Sequence, residues 1–230
     1  MDRLGYTAMT AASRTMSSLT VRANNLANVN TPGFRADMEQ AQAVAVEGYG
    51  YDSRHLVRVK NNGVNLAPGE LMATGRDLDV AIQGRGLFTV EGDGGAERYT
   101  RNGALRVDAE LRLTLNGRAV LGEGGPIVLP EYDSLHIGRD GTVSVIPRGD
   151  FVTAEVDRIR VVDVDAADLT KDASGLLART DGQPAEDMET PVLVSGYLEA
   201  SNVGAIDQLV ATMSLNRLFE TQVKMMKAAE

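Results

Sequence analysis

Helical patterns stand at the two ends of this chain, with a long run of short, alternating strand-like segments between them, and this order limits the folds open to it. Near the N-terminus, Met9, Ala12, Met16, Leu19, Ala23 and Leu26 recur at steps of three and four residues. That repeat belongs to a helix that lays one seam against a partner. The seam is thin, because two of its six positions are alanine and two are adaptable methionine. An isolated helix of this kind is marginal in water. Near the C-terminus, Ile206, Leu209, Val210, Met213, Phe219, Val223 and Met226 form an apolar stripe at helical spacing. Ser201-Asn202 is the predicted N-cap, Asp207 suits the positive start of a helix, and Lys224 and Lys227 suit its end. If the two helices meet, the segment between them becomes a large insertion.

The middle, residues 77–197, reads as all-β. Strand-like runs at 77–82 and 87–90 are separated by Gly84 and Gly86, and Gly92-Asp93-Gly94-Gly95 predicts a hairpin tip. The clearest hairpin has Leu111, Leu113 and Leu115 alternating up to Asn116-Gly117, then Arg118-Ala119-Val120-Leu121. Alternating apolar residues around Asn-Gly are the strongest short-range hairpin signal. Further strands are predicted at 127–129, 135–137, 142–146 and 159–164, with turns at Asp140-Gly141 and Asp181-Gly182. Short strands at this spacing predict a sandwich or open barrel. Residues 36–76 read as a connecting segment with one or two short strands: an apolar run at 43–46, Tyr49 and Tyr51 around Gly50, and an alternating stretch at 55–60 that Asn61-Asn62-Gly63 breaks. The predicted fold is mainly β with terminal α-helices. A discontinuous, coiled-coil-like helical domain (1–35 and 198–230) carries an inserted β-sandwich or open barrel (77–197).

Between the first helix and the connecting segment stands Asn24-Asn25-Leu26-Ala27-Asn28-Val29-Asn30-Thr31-Pro32-Gly33-Phe34-Arg35. Asparagine competes for backbone hydrogen bonds inside a helix and tolerates the left-handed conformation at its end. Thr31 precedes proline and is pushed out of the helical region. Pro32-Gly33 fits the centre of a type II turn, with positive φ predicted at Gly33.

The wording of this stretch resembles the N-terminal signature of bacterial flagellar rod, hook and hook-associated proteins. The resemblance extends along nearly the whole chain. It includes Thr74-Gly75-Arg76-Asp77-Leu78-Asp79-Val80-Ala81-Ile82 with Gly84-Arg85-Gly86-Leu87-Phe88, and Tyr99-Thr100-Arg101-Asn102-Gly103. Gly196-Tyr197-Leu198-Glu199-Ala200-Ser201-Asn202-Val203 and Asn216-Arg217-Leu218-Phe219-Glu220 complete it. Within the family, Tyr6-Thr7-Ala8-Met9 and Gly122-Glu123-Gly124-Gly125-Pro126-Ile127 look most like the proximal rod type. The distal rod or a hook-type axial subunit is the alternative. The family's C-terminal helices continue about three turns further than Glu230.

The resemblance implies a structural subunit that is exported through the flagellar apparatus without a cleaved leader. It stacks with itself and with other proximal and distal rod proteins into the helical drive shaft that crosses the periplasm and transmits motor torque. Terminal helices then pair in the inner layer of that tube, with the β domain outside. Subunit contacts are expected at Met9, Met16, Leu19, Leu26, Asn24, Asn25, Asn28, Gly33, Phe34, Ile206, Leu209, Met213, Phe219, Val223 and Met226. Because both seams are weak, the single chain is expected to be a monomer whose ends order on assembly.

Composition agrees with these expectations. A formal net charge of −9 over 230 residues argues against nucleic acid or an anionic membrane as partner. There is no cysteine, hence no disulfide or thiol chemistry. No basic stretch followed by an apolar core predicts a Sec-type leader, and no apolar run reaches the roughly 18 residues of a membrane span. His55 and His136 are the only histidines, no H-E-x-x-H or P-loop string occurs, and the Gly-x-Gly pairs at 48, 84, 92 and 122 lack the third glycine of a dinucleotide site. Residues 163–174 superficially resemble a calcium loop but lack its glycine and closing glutamate. No catalytic residue, cofactor, metal or small-molecule substrate is expected. Two other classes remain open at this stage: a polysaccharide-acting β-sandwich enzyme using paired carboxylates, and a β-rich adhesion module with helical oligomerisation tails.

Overall fold

The computed structural model describes residues 2–45 and 55–229. The tyrosines at 49 and 51 and the end of the apolar run at Val46 lie outside the described residues. Helix α1 (Asp2–Ala27) and helix α2 (Ala205–Ala229) bracket a mainly β middle. The chain divides into two units: residues 1–29, 36–63 and 203–230 form a helical unit, and residues 30–35 and 64–202 form a β unit.

In the helical unit α1 and α2 lie side by side. The Thr15 hydroxyl donates to Gln222 Oε1 at 3.0 Å and Arg22 Nη1 donates to Gln208 Oε1 at 3.2 Å, so the pair runs antiparallel. The side chains facing in are only partly the ones the thin seam predicts: Ala12, Leu19 and Leu26 keep their place, whereas Met9, Met16 and Ala23 do not. In α1 the buried or half-buried row is Ala8, Ala12, Thr15, Leu19, Arg22 and Leu26. In α2 it is Gln208, Thr212, Leu215, Phe219, Gln222 and Met226. Both rows keep the three-and-four spacing, but the α1 row is rotated so that Met9 and Met16 fall outside it. Alanine and threonine at the contact let two backbones approach closely, and two glutamines take up the polar groups such an approach buries. The helices thus already have a partner within one chain, which leaves neighbours less to order than the weak seams predict. The same unit holds a two-stranded sheet of Asp37–Ala45 and His55–Val64, except for the last residue, Val64, which belongs to the β unit. The second strand runs straight through Asn61-Asn62-Gly63, where the sequence predicts a break. Backbone pairing with its neighbour overrides the turn preference of those residues.

In the β unit the central sheet has five strands, all antiparallel, in the order Val161–Val162, Leu87–Glu91, Glu97–Thr100, Leu177–Arg179 and Leu169–Lys171. Successive side chains of a strand point to opposite faces. Phe88, Val90 and Val161 enter one apolar cluster, while Leu87, Tyr99 and Val162 enter another. This sheet is therefore covered on both faces, and residues 87–90 are all buried, Thr89 among them. The larger cluster continues through Leu105, Leu113, Leu115, Val143 and Val145, supplied by two three-stranded sheets. One is built from Leu105–Val107, Leu113–Leu115 and Arg118–Ala119, the other from Tyr132–Ile137, Thr142–Pro147 and Ala154–Arg158. The Asn116-Gly117 hairpin forms as predicted, with φ of 51° and 80° at its two central residues. The predicted strand at 127–129 does not form. Ile127 and Leu129 are buried there, and Val128 makes an isolated bridge to Arg112. Two-stranded ladders and 3-10 turns at Asp93–Gly95 and Ala166–Asp168 complete the unit, which closes no barrel among the described residues.

Candidate assembly surface and charge node

Three of the sequence strings that carry the resemblance meet in the β unit. Residues 31–34 form the predicted type II turn: Phe34 N donates to Thr31 O at 3.2 Å, and φ at Gly33 is 69°. Gly33 N donates to Glu199 O at 2.7 Å. A Cβ on Gly33 would stand 2.1 Å from the backbone nitrogen of Asn102, so the turn rests directly on the Thr100-Arg101-Asn102 backbone. Next along the chain, Arg35 Nη2 reaches Glu199 Oε1 at 2.6 Å, and Gly69 N donates to the same oxygen at 2.7 Å. Arg101 Nε lies 3.0 Å from Glu199 Oε2. Its Nη2 donates to Gly84 O. Side-chain exposures of 2% for Arg35, 3% for Arg101 and 1% for Glu199 make this a fully buried node of two guanidinium groups and one carboxylate. Burial pushes the Arg101 guanidinium down to about 10; Glu199 opposes that shift and the like charge of Arg35 adds to it.

Around the node, Lys171 Nζ donates to Arg35 O at 2.7 Å and sits 4.0 Å from the centroid of the Phe34 ring. Asn202, a predicted N-cap residue, has a different task. Its Nδ2 donates to the carbonyls of Asn65 and Ala67 at 2.8 and 2.9 Å, and its backbone N donates to Phe34 O. Helix α2 begins later, with Gln208 N donating to Gly204 O and Asp207 in the first turn.

In the helical unit the asparagines have distinct places. Asn25 is buried, and its side chain both donates to Asp37 O at 2.9 Å and accepts from Asp37 N at 2.8 Å. Asn24 is exposed and donates to the Asp37 carboxylate at 3.0 Å, while Asn28 Nδ2 returns to Asn24 O at 2.9 Å. The three amides thus cap the end of α1 and fasten the strand that begins at Asp37.

The remaining expected contact residues divide into two groups. Leu19, Leu26, Phe219, Val223 and Met226 are half-buried. Met9, Met16, Ile206, Leu209 and Met213 are exposed, from 50% at Leu209 to 77% at Ile206, and Val210 joins them at 58%. On a helix Ile206, Leu209, Val210 and Met213 share one face, opposite the row headed by Gln208. The first half of α2 is consequently apolar outside and polar inside. Sequence reasoning named these residues but missed the roles of Arg35, Arg101 and Glu199. The available signal was that each sits inside a string that carries the resemblance. Among the described residues no helix is long and apolar enough to cross a membrane.

Comparison with known proteins agrees with this geometry. The family model described as flagella basal body rod protein matches residues 6–35, the flagellar hook protein FlgE/F/G D1 domain matches 81–145, and the flagellar basal body rod FlgEFG protein C-terminal region matches 194–230. The flagellar basal-body rod protein FlgF of Salmonella typhimurium is 38% identical over 238 residues, covering 100% of this chain and 95% of its own length. FlgF of Caulobacter vibrioides is 31% identical, covering 98% of this chain and 93% of its own length. The rod protein FlgG of Bacillus subtilis is 31% identical over 100% of this chain and 96% of its own. With the three matched regions in order along the chain and full-length similarity to FlgF, the chain belongs to the FlgF family of flagellar basal-body rod proteins.

Proposed function

We propose that this chain enters the flagellar rod through the apolar outer face of its own helix pair. Family membership makes it a structural subunit of the basal-body rod and not an enzyme. The observation that carries the finer reading is the placement of large apolar side chains. Ile206, Leu209, Val210 and Met213, with Met9 and Met16 on α1, face solvent, while Gln208 and Thr212 stand on the inner row of the same stretch of α2. A run of large apolar side chains exposed on one helix face of a chain of net charge −9 marks a contact surface. In this reading residues 1–35 and 198–230 act as the assembly domain, and residues 77–197 form the outer domain, a sandwich-like or open-barrel body. The three-and-four spacing of both inner rows supports coiled-coil-like packing. The partners are further copies and other proximal and distal rod subunits, delivered by the flagellar export apparatus without a cleaved leader.

Replacing Ile206 or Met213 with Asp tests this. Each is exposed in the single chain, so the purified variants should keep the parent's helical signal and thermal midpoint, while cells carrying them should lose rods and motility. A motile Ile206→Asp and Met213→Asp pair would sink the reading.

A further inference from the structure

The charge node is not closed on itself. Among the described residues, Arg35 Nε and Nη1, Arg101 Nη1 and the Glu199 Oε2 acceptor are buried without a hydrogen-bond partner, so the donor atoms in excess outnumber the one open acceptor. Two guanidinium groups against one carboxylate leave the node one positive charge in excess. Beside it lies a cavity of about 300 Å³. Arg35 and Arg101 form its charged wall, Leu66, Leu87 and Val164 its apolar wall, and Arg85, Asp163, Asp165 and Ala166 its rim. Buried donors left without an acceptor are costly, and a buried unbalanced charge more so.

We propose that this cavity is a binding site for a monovalent carboxylate, held by the free N–H groups of Arg35 and Arg101. One negative charge balances the node. The two oxygens of a carboxylate offer about four lone-pair positions, so one carboxylate reaches all three free nitrogens and meets most of their N–H bonds. The apolar wall suits a short alkyl stem behind the carboxylate. At the rim, Arg85 is engaged by Asp163 at 3.1 Å and by Asp165 at 2.8 Å, so two carboxylates face one cation there. That acidic rim disfavours a multiply charged ion such as sulfate or phosphate. The carboxylate comes either from a free small acid or from an acidic side chain of another copy of this chain. The proposal stands on the node and its cavity and does not depend on the assembly reading.

The test uses the full chain labelled with nitrogen-15, following the Arg35 Nε–H signal. Propionate is titrated at constant ionic strength against chloride and sulfate. In a second arm the protein concentration is raised in carboxylate-free buffer. A saturable shift with propionate, absent with chloride and sulfate, supports a free acid as the source. A shift with protein concentration supports an acidic side chain of a second copy. Ala166→Phe, which fills the rim without touching the node, should abolish either response. Equal responses to propionate, chloride and sulfate would show an adventitious ion only. That outcome, no response in either arm, or a response undiminished in Ala166→Phe overturns the proposal. The comparison of anions on the unmodified chain decides the matter even if the variant does not fold.

Discussion

Gly33 offers the sharpest test of how the β unit is held together. Replacing it with alanine has three separable effects. A non-glycine residue in the left-handed region costs about 1–2 kcal/mol. The new Cβ, placed 2.1 Å from Asn102 N and 2.5 Å from Asn102 Cα, meets backbone that cannot swing aside as a side chain could. Forcing such overpacking costs about 1–3 kcal/mol. Displacing the turn also lengthens the 2.7 Å bond from Gly33 N to Glu199 O. A hydrogen bond of this kind contributes about 0.5–1.5 kcal/mol. Together these give roughly 3–6 kcal/mol, to be compared with Gly75→Ala. Gly75 has nearly the same φ, 70°, but nothing within 4 Å of its would-be Cβ. That control should cost about 1 kcal/mol, the conformational effect alone. In urea unfolding of the purified chain, with an m-value of about 2 kcal/mol per molar, Gly33→Ala should lower the midpoint by about 1.5–3 M and Gly75→Ala by about 0.5 M. Equal midpoints for the two variants would refute the claim that close backbone approach, and not φ alone, requires glycine at 33.

Glu199→Gln leaves two buried guanidinium groups without a counter-charge, and the β unit should lose about 3–5 kcal/mol in denaturant unfolding. Asp172 is shifted below its ordinary value of 3.8: partial burial raises it, but hydrogen bonds from Ser174 and Leu176 and the nearby Arg98 outweigh that. A carboxylate depressed in the folded state contributes stability that is present above 3.8 and lost as the pH falls through the lower folded value, so Asp172→Asn should flatten the acid limb of the stability curve. Leu215 lies half-buried in the inner row of α2, and Leu215→Asp should destabilise the helix pair by about 1–3 kcal/mol, read as an earlier loss of far-UV circular dichroism on heating.

What could be read from the sequence was mostly local. The Pro32-Gly33 turn and the Asn116-Gly117 hairpin formed as predicted because their dihedral demands are met by the residues themselves. The phase of the helix pair was not readable. Both faces of α1 carry residues at three-and-four spacing, and the eye follows the larger methionines, whereas the close antiparallel contact selects Ala8, Ala12 and Thr15. Asn61-Asn62-Gly63 misled for the opposite reason, since pairing with Asp37–Ala45 decides there against local preference. The node of Arg35, Arg101 and Glu199 was hidden because its members are far apart along the chain and each, taken alone, is an ordinary charged residue. Only the fold makes them neighbours. The exposed apolar residues of α2 were named as candidates from their spacing, but periodicity could not tell an outward stripe from an inward one.

The chain crosses between its helical and β units at four points, after residues 29, 35, 63 and 202. On the β side the segments next to those crossings are fastened to one another: Gly33 N to Glu199 O, Asn202 N to Phe34 O, Asn202 Nδ2 to the carbonyls of Asn65 and Ala67, and Gly69 N to Glu199 Oε1. A pull delivered along any one passage is therefore shared among several bonds instead of falling on one. The short loop at 65–69 is held from two sides, by the Asn202 amide at Asn65 and Ala67 and by the Glu199 carboxylate at Gly69, so losing either residue loosens the loop and leaves the other hold in place.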